Sequence, residues 1–189
     1  METIHSATQM QEETTKLPIC VDLDGTLIQE DVSQLSAKYY LRKHPHRAIS
    51  LLLKFIVHGT AATKAFLSKY SSVDIQKLSY HTALIQYLQQ KRNDGHKIYL
   101  ATGANETFAQ KISDHLQLFD GVFASTHDVN LIGKNKAQKL ISLFGEKGFI
   151  YAGNSHVDIH VWSVSAGYII VNPDRRSRLW MRDKQAIWF

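Results

Sequence analysis

Short apolar runs recur along the chain, most of them meeting glycine, aspartate or serine at an end: LPICVDLD (17–24), KIYLA (97–101), GVFAS (121–125), GFIYAG (148–153) and GYIIV (167–171). Runs of this length with little polar alternation suit strands buried on both faces. Between most of them the spacing changes to that of a helix. ALIQYLQQKRNDG (83–95) repeats apolar residues at Leu84, Ile85 and Leu88 and ends in glycine. NETFAQKISDHLQLF (105–119) opens on an Asn cap and aligns Phe108, Ile112, Leu116 and Phe119, and NKAQKLISLFG (135–145) sets Leu140, Ile141 and Phe144 before a glycine. Strands alternating with helices predict a parallel sheet covered on both faces, an α/β fold. No internal repeat is visible.

One connection breaks this rhythm. From residue 24 to residue 97 the chain is far longer than the dozen or so residues that a parallel crossover needs. The 83–95 helix fills part of it. The rest, 29–80, reads as further helices: SQLSAKYYLRKH, HRAISLLLKFIVHG and AATKAFLSKYSS. This predicts a helical insert over the C-terminal edge of the sheet, where open α/β sheets bind ligands. The expected division is a flexible N-terminus (1–16), a core (17–28 and 81–175), the insert (29–80) and a basic aromatic tail (176–189).

With 189 residues, 44% of them apolar and 21% charged, the chain suits one globular domain. A single cysteine, Cys20, excludes an internal disulfide or a thiolate cluster and reads as an inert buried thiol in a reducing cytoplasm. Residues 1–16 lack the apolar stretch of a secretory signal. The longest apolar run, ISLLLKFIV (49–57), is interrupted by a lysine and is less than half of the ~20 residues a membrane span needs, so no spanning helix is expected. Net charge is +5, and it is clustered: Lys38, Arg42, Lys43, Arg47, Lys54, Lys64 and Lys69 share residues 35–69 with no acid. Arg175, Arg176, Arg178, Arg182 and Lys184 crowd the end. Such patches favour an anionic partner, and no recognition motif points to nucleic acid. ISLLLKFIV is expected in the core of the insert, and Trp180, Met181, Trp188 and Phe189 are expected to pack back on the sheet. Peripheral membrane contact is the second reading of both segments.

CVDLDGTL (20–27) carries the chemistry. If the strand continues, alternation puts Asp22 and Asp24 on one side. Neighbouring carboxylates raise each other's pKa unless a cation compensates, and oxygen ligands suit Mg²⁺. Gly25 and Thr26 can turn the backbone and aim N–H groups at an anion. At the next strand end, in LATGANE, the Thr102 hydroxyl and the Gly103 and Ala104 amides can hold a phosphate oxygen. Lys136, with Lys134 as rival, can neutralise charge on a phosphoryl group. In YAGNSHVDIHVW, Asn154 and Asp158 can reach a cation. His127, His156 and His160 fit no standard zinc spacing and are read as surface or supporting residues.

Taken in order, DLDGT, ATG, Lys136 and GNSHVD resemble the four motifs of the haloacid dehalogenase (HAD) superfamily, over about residues 17–173. CVDLDGTL, LATGA, GKNKAQKL, YAGNSHVDIHVW and VNP are most similar to the HAD domain fused ahead of UbiA-type prenyltransferases in some bacterial proteins; these 189 residues carry only the HAD part of that pairing. The resemblance implies a Rossmann-like core with strand order 5-4-1-2-3 and a helical cap after the first strand. It also implies a Mg²⁺-dependent phosphatase acting on a sugar phosphate or a polyprenyl or other lipid-linked phosphate. By position, Asp22 would be the nucleophile, Asp24 the general acid and base, and Thr102 and Lys136 the phosphoryl ligands. Mg²⁺ would lie on Asp22, the Asp24 carbonyl and the fourth-motif residues Asn154 and Asp158. The family usually has aspartate where Asn154 stands, which implies weakened Mg²⁺ binding and leaves a catalytically weak binding or regulatory module as the alternative. A phospho-receiver domain fits less well, because its phospho-acceptor should end a later strand.

Overall fold

In a computed structural model, residues 16–70 and 73–189 are described. The expectation of a flexible N-terminus falls almost wholly on residues outside that range. Six parallel strands form one sheet in the order β3-β2-β1-β4-β5-β6: β1 (Ile19–Val21), β2 (Ile98–Asn105), β3 (Gly121–Ser125), β4 (Ile150–Gly153), β5 (Gly167–Ile170) and β6 (Ile187–Trp188). The first five stand in the order that the resemblance implies. The sixth comes from the tail, whose Phe189 N–H donates to Ile170 O at 2.8 Å.

Successive strand residues face opposite layers, so β1 feeds two cores. Ile19 and Val21 join Leu84 and Leu88 of α3 (Thr82–Asn93) and Phe108, Ala109 and Ile112 of α4 (Glu106–Leu116). Cys20 joins Ala137 and Leu140 of α5 (Gly133–Phe144), Trp162 of α6 (Ile159–Trp162) and Met181 beyond α7 (Arg175–Trp180). Burial pushes the Cys20 thiol well up, as expected of an inert group. Trp180 stacks on Trp162 with ring centroids 6.3 Å apart, so this part of the tail packs on the body.

Between β1 and α3 lie α1 (Val32–Lys43), α2 (Ala48–Tyr70) and two single 3-10 turns. α1 begins where Asp31 accepts from Gln34 N–H. α2 breaks at Gly59, whose φ of 75° and ψ of −175° are not helical, so the two segments read from the sequence are two arms of one bent helix. The second arm packs inward through Ala62, Thr63 and Leu67. The first arm corrects an expectation: ISLLLKFIV is not core. Ile49, Ile56 and Val57 are 73%, 66% and 71% exposed. Together with its preceding turn the helix covers Pro45–Tyr70, long and apolar enough by length and composition to cross a membrane, which the short apolar run did not suggest.

Candidate active site

A parallel sheet ends all its strands on one edge, and the predicted motifs meet there. β1 stops at Val21, while Asp22 still donates its N–H to Ala152 O at 2.9 Å. The chain then turns, and Leu23 C=O accepts from the N–H groups of Thr26, Leu27 and Ile28. Gly25 makes this possible with φ at +73°, and a Cβ there would stand 2.1 Å from Asn154 Nδ2. The expected placement by strand alternation is therefore corrected. The strand does not reach Asp24; the turn brings both carboxylates to one cavity of about 370 Å³. Asp24 Oδ1 accepts from Val32 N–H at 2.8 Å, which ties it to the start of α1.

Lys136 reaches the same cavity from α5 and is 3% exposed, whereas Lys134 lies on the surface. Its Nζ donates to Asp22 Oδ1 at 2.7 Å and to the Tyr151 hydroxyl at 2.8 Å. The Tyr151 hydroxyl donates to Asp158 Oδ1, also at 2.8 Å. Asp158 Oδ2 accepts from Asn154 N–H, Ser155 N–H and Ser155 Oγ at 3.1, 3.0 and 3.2 Å. Gly153 keeps this approach open, since a Cβ there would lie 2.8 Å from the Asp158 carboxyl carbon. Asp158 thus holds the loop that presents Asn154, with both of its oxygens engaged.

Burial dominates the electrostatics. It raises Asp22 to about 6 against the pull of Lys136, with Asp158 adding to the rise. It raises Asp24 to about 7 despite the Val32 hydrogen bond. Burial alone would lower Lys136, but Asp22 and Asp158 overcome it and raise the ammonium above its ordinary value. Burial, then Asp158 and Asp22, push Tyr151 far up, so it stays a neutral relay between lysine and aspartate.

Gly103 lines the cavity, but Thr102 and Thr26 are buried beside it rather than in its wall. Thr102 Oγ1 accepts from Ala104 N–H at 2.9 Å, and Thr26 Oγ1 has no hydrogen-bond partner among the described residues. Two residues were missed from the sequence. Tyr151 looked like one more apolar strand position. Lys64 stood out only as part of a basic cluster, yet its Nζ crosses from α2 to donate to Gly103 O at 2.8 Å. Burial lowers the Lys64 pKa, with Asp24, Asp31 and Asp22 pulling the other way.

The cavity offers the carboxylates of Asp22 and Asp24 and the amide oxygen of Asn154, which are hard donors suited to a hard cation. Their chemistry fits one, and a cation there would offset the burial that raises Asp22 and Asp24. Among the described residues no three His, Cys, Asp or Glu side chains are arranged to hold an ion unaided, so amide, main-chain and water oxygens would have to complete a shell. His127 pairs with Asp128 and His156 with Asp174, at 2.8 and 2.7 Å, so neither serves the cavity.

Comparison with known proteins bears on the fold and the family. Uncharacterized protein y4nM of Sinorhizobium fredii (strain NBRC 101917 / NGR234) is 35% identical over 156 residues, which cover 82% of this chain and 30% of that protein. The chain therefore spans about a third of this relative's length. A protein of unknown function from Bordetella pertussis Tohama I superposes with a TM-score of 0.71 at 14% identity, covering 93% of this chain and 99% of the other. A substrate-bound phosphoserine phosphatase superposes with a TM-score of 0.62 at 16% identity, covering 94% of each chain. At such identities the likeness is one of fold. Sequence membership rests on residues 19–162, which match the family model of the haloacid dehalogenase-like hydrolases. That span runs from β1, just ahead of the acid pair, to the end of α6 beyond Asp158, and the chain belongs to this hydrolase family.

Proposed function

We propose that the chain hydrolyses phosphate monoesters through an aspartyl-phosphate on Asp22. The observation that supports this best is the ion pair between Asp22 and Lys136 inside the cavity that also takes Asp24. Asp22 attacks phosphorus and forms the acyl-phosphate bond while the ester P–O bond breaks. The departing alkoxide takes a proton from Asp24, whose pKa of about 7 lets it hold that proton near neutrality. Water then attacks phosphorus, gives a proton back to Asp24, and phosphate leaves with Asp22 restored. Lys136 keeps Asp22 ionised and oriented. Mg²⁺, held by the Asp22 carboxylate, the Asp24 carbonyl and Asn154, would supply charge neutralisation for the transferring phosphoryl group. Asp158 would position Asn154.

The substrate class in this proposal is a sugar phosphate or a polyprenyl or other lipid-linked phosphate, in keeping with the resemblance to HAD domains joined to UbiA-type prenyltransferases. A second reading, a weakly catalytic binding module, draws on Asn154 in place of an acid and on the engaged oxygens of Asp158. Hydrolysis of p-nitrophenyl phosphate, and of a panel of sugar, nucleotide and polyprenyl phosphates, separates the two. The expected outcome is Mg²⁺-dependent turnover that falls by at least about 10³-fold in Asp22→Asn. Turnover that survives in Asp22→Asn, or none on any ester, overturns the phosphatase proposal.

A further inference from the structure

The first arm of α2 is an amphipathic helix with its apolar face turned to solvent. At about 100° per residue, Leu52, Ile56, Ile49, Leu53 and Val57 fall within an arc of about 140°. All five are exposed, and Phe55 beside them is 49% exposed. Ser50, Lys54 and His58 occupy one flank and half-buried Leu51 lies opposite the arc, with the Lys54 ammonium 4.8 Å from the centre of the Phe66 ring. A helix that contributes to a core buries its apolar stripe; this one buries no residue between Ala48 and Gly59.

The charge around this face selects its occupant. No acid occurs between Asp31 and Asp74. Arg42, Lys43 and Arg47, just before the arm, are exposed and form no ion pair with a described residue. A second copy would bring the same cations against themselves, whereas an anionic bilayer offers both phosphate charge and an apolar interior.

We propose that Ala48–His58 docks on anionic lipid, lying in the plane of the headgroups with the apolar arc in the acyl boundary. It does not span. Eleven residues reach about 16 Å against a hydrocarbon thickness of about 30 Å. The other arm is committed to the body through Ala62, Thr63 and Leu67 and carries Lys64 to the cavity. The docking helix is the exposed arm alone, with Gly59 as its limit.

The test is flotation of the whole chain with vesicles of phosphatidylglycerol and phosphatidylcholine, and with phosphatidylcholine alone. The expected result is binding to the anionic vesicles only. Arg42→Gln/Lys43→Gln/Arg47→Gln should weaken it by about a hundredfold, and Leu52→Gln/Ile56→Gln by about tenfold or more. The altered side chains are exposed, so both variants should unfold at the wild-type temperature. Failure to float overturns the proposal, as does flotation unchanged in both variants, which would assign binding to the tail. A vesicle-independent dimer that Leu52→Gln/Ile56→Gln dissolves also overturns it, by making the occupant a second copy. None of these results depends on phosphatase activity.

Discussion

Lys136 Nζ stands 2.7 Å from Asp22 Oδ1 although 114 positions separate the two residues in the chain. The contact joins the end of β1 to the first turns of α5, and both side chains are nearly closed off from water, at 3% and 11% exposure. Tyr151 extends it to Asp158, so one ammonium serves two buried carboxylates that would otherwise face each other uncompensated.

Lys136→Met therefore strands Asp22 and Asp158. Removing one partner of a buried pair costs about 3–5 kcal/mol. Asp22 can escape that cost by taking up a proton, so the loss should be large at pH 8 and smaller at pH 5. Urea denaturation at the two pH values measures it, and an equal loss at both would show that Lys136 acts through packing rather than charge.

In EDTA, stability should fall as pH rises from about 4 to about 7. Asp22 and Asp24 have folded values of about 6 and about 7 against an ordinary 3.8. Over that interval the unfolded chain releases protons that the folded chain keeps, which favours unfolding. Asp174 works in the opposite sense: its hydrogen bonds from Ser177 and His156 outweigh partial burial and hold its carboxyl low. Its contribution is present above the ordinary carboxylate value and is lost as pH falls further. Thermal midpoints across pH 3–8 should peak near the low end, and Asp24→Asn should flatten the descent. A midpoint that climbs steadily to pH 7 would contradict the burial assigned to both acids.

Asn154→Asp should act with opposite signs in two assays. It adds a carboxylate to a cavity that Asp22, Asp24 and Asp158 already line, so the metal-free protein should melt lower. It should also reduce the Mg²⁺ concentration that half-saturates turnover by about tenfold or more. If the half-saturating concentration does not move, Asn154 is not a ligand.

Much of this was legible in the chain. The apolar runs placed β1 to β5 within a few residues, because strands of a covered parallel sheet read as short, near-continuous apolar runs, and DLDGT with GNSHVD marked two of the strand ends that meet. What escaped had physical reasons. Tyr151 became a relay only through its hydroxyl, which an apolar run conceals. Lys64 acts across 39 positions on Gly103, through a helix packing that local pattern does not encode. β6 is two residues long, too short for periodicity to register. ISLLLKFIV misled in the other direction: helical spacing identifies an apolar stripe but does not say which way the helix turns it.

Among the described residues Gly59 has no neighbour within 4 Å of where a Cβ would stand, so crowding does not reserve the position; its φ of +75° does. With ψ at −175° it occupies a backbone region closed in practice to the other nineteen residues. A substitution there would press the helix toward a straight 23-residue rod, and one arm would have to swing. If the outer arm moved, the bearing of Ile49 and Ile56 would change; if the inner arm moved, Lys64 would leave the cavity wall. One codon thus links the outward face of the insert to the lining of the pocket, and neither can drift without answering to the other.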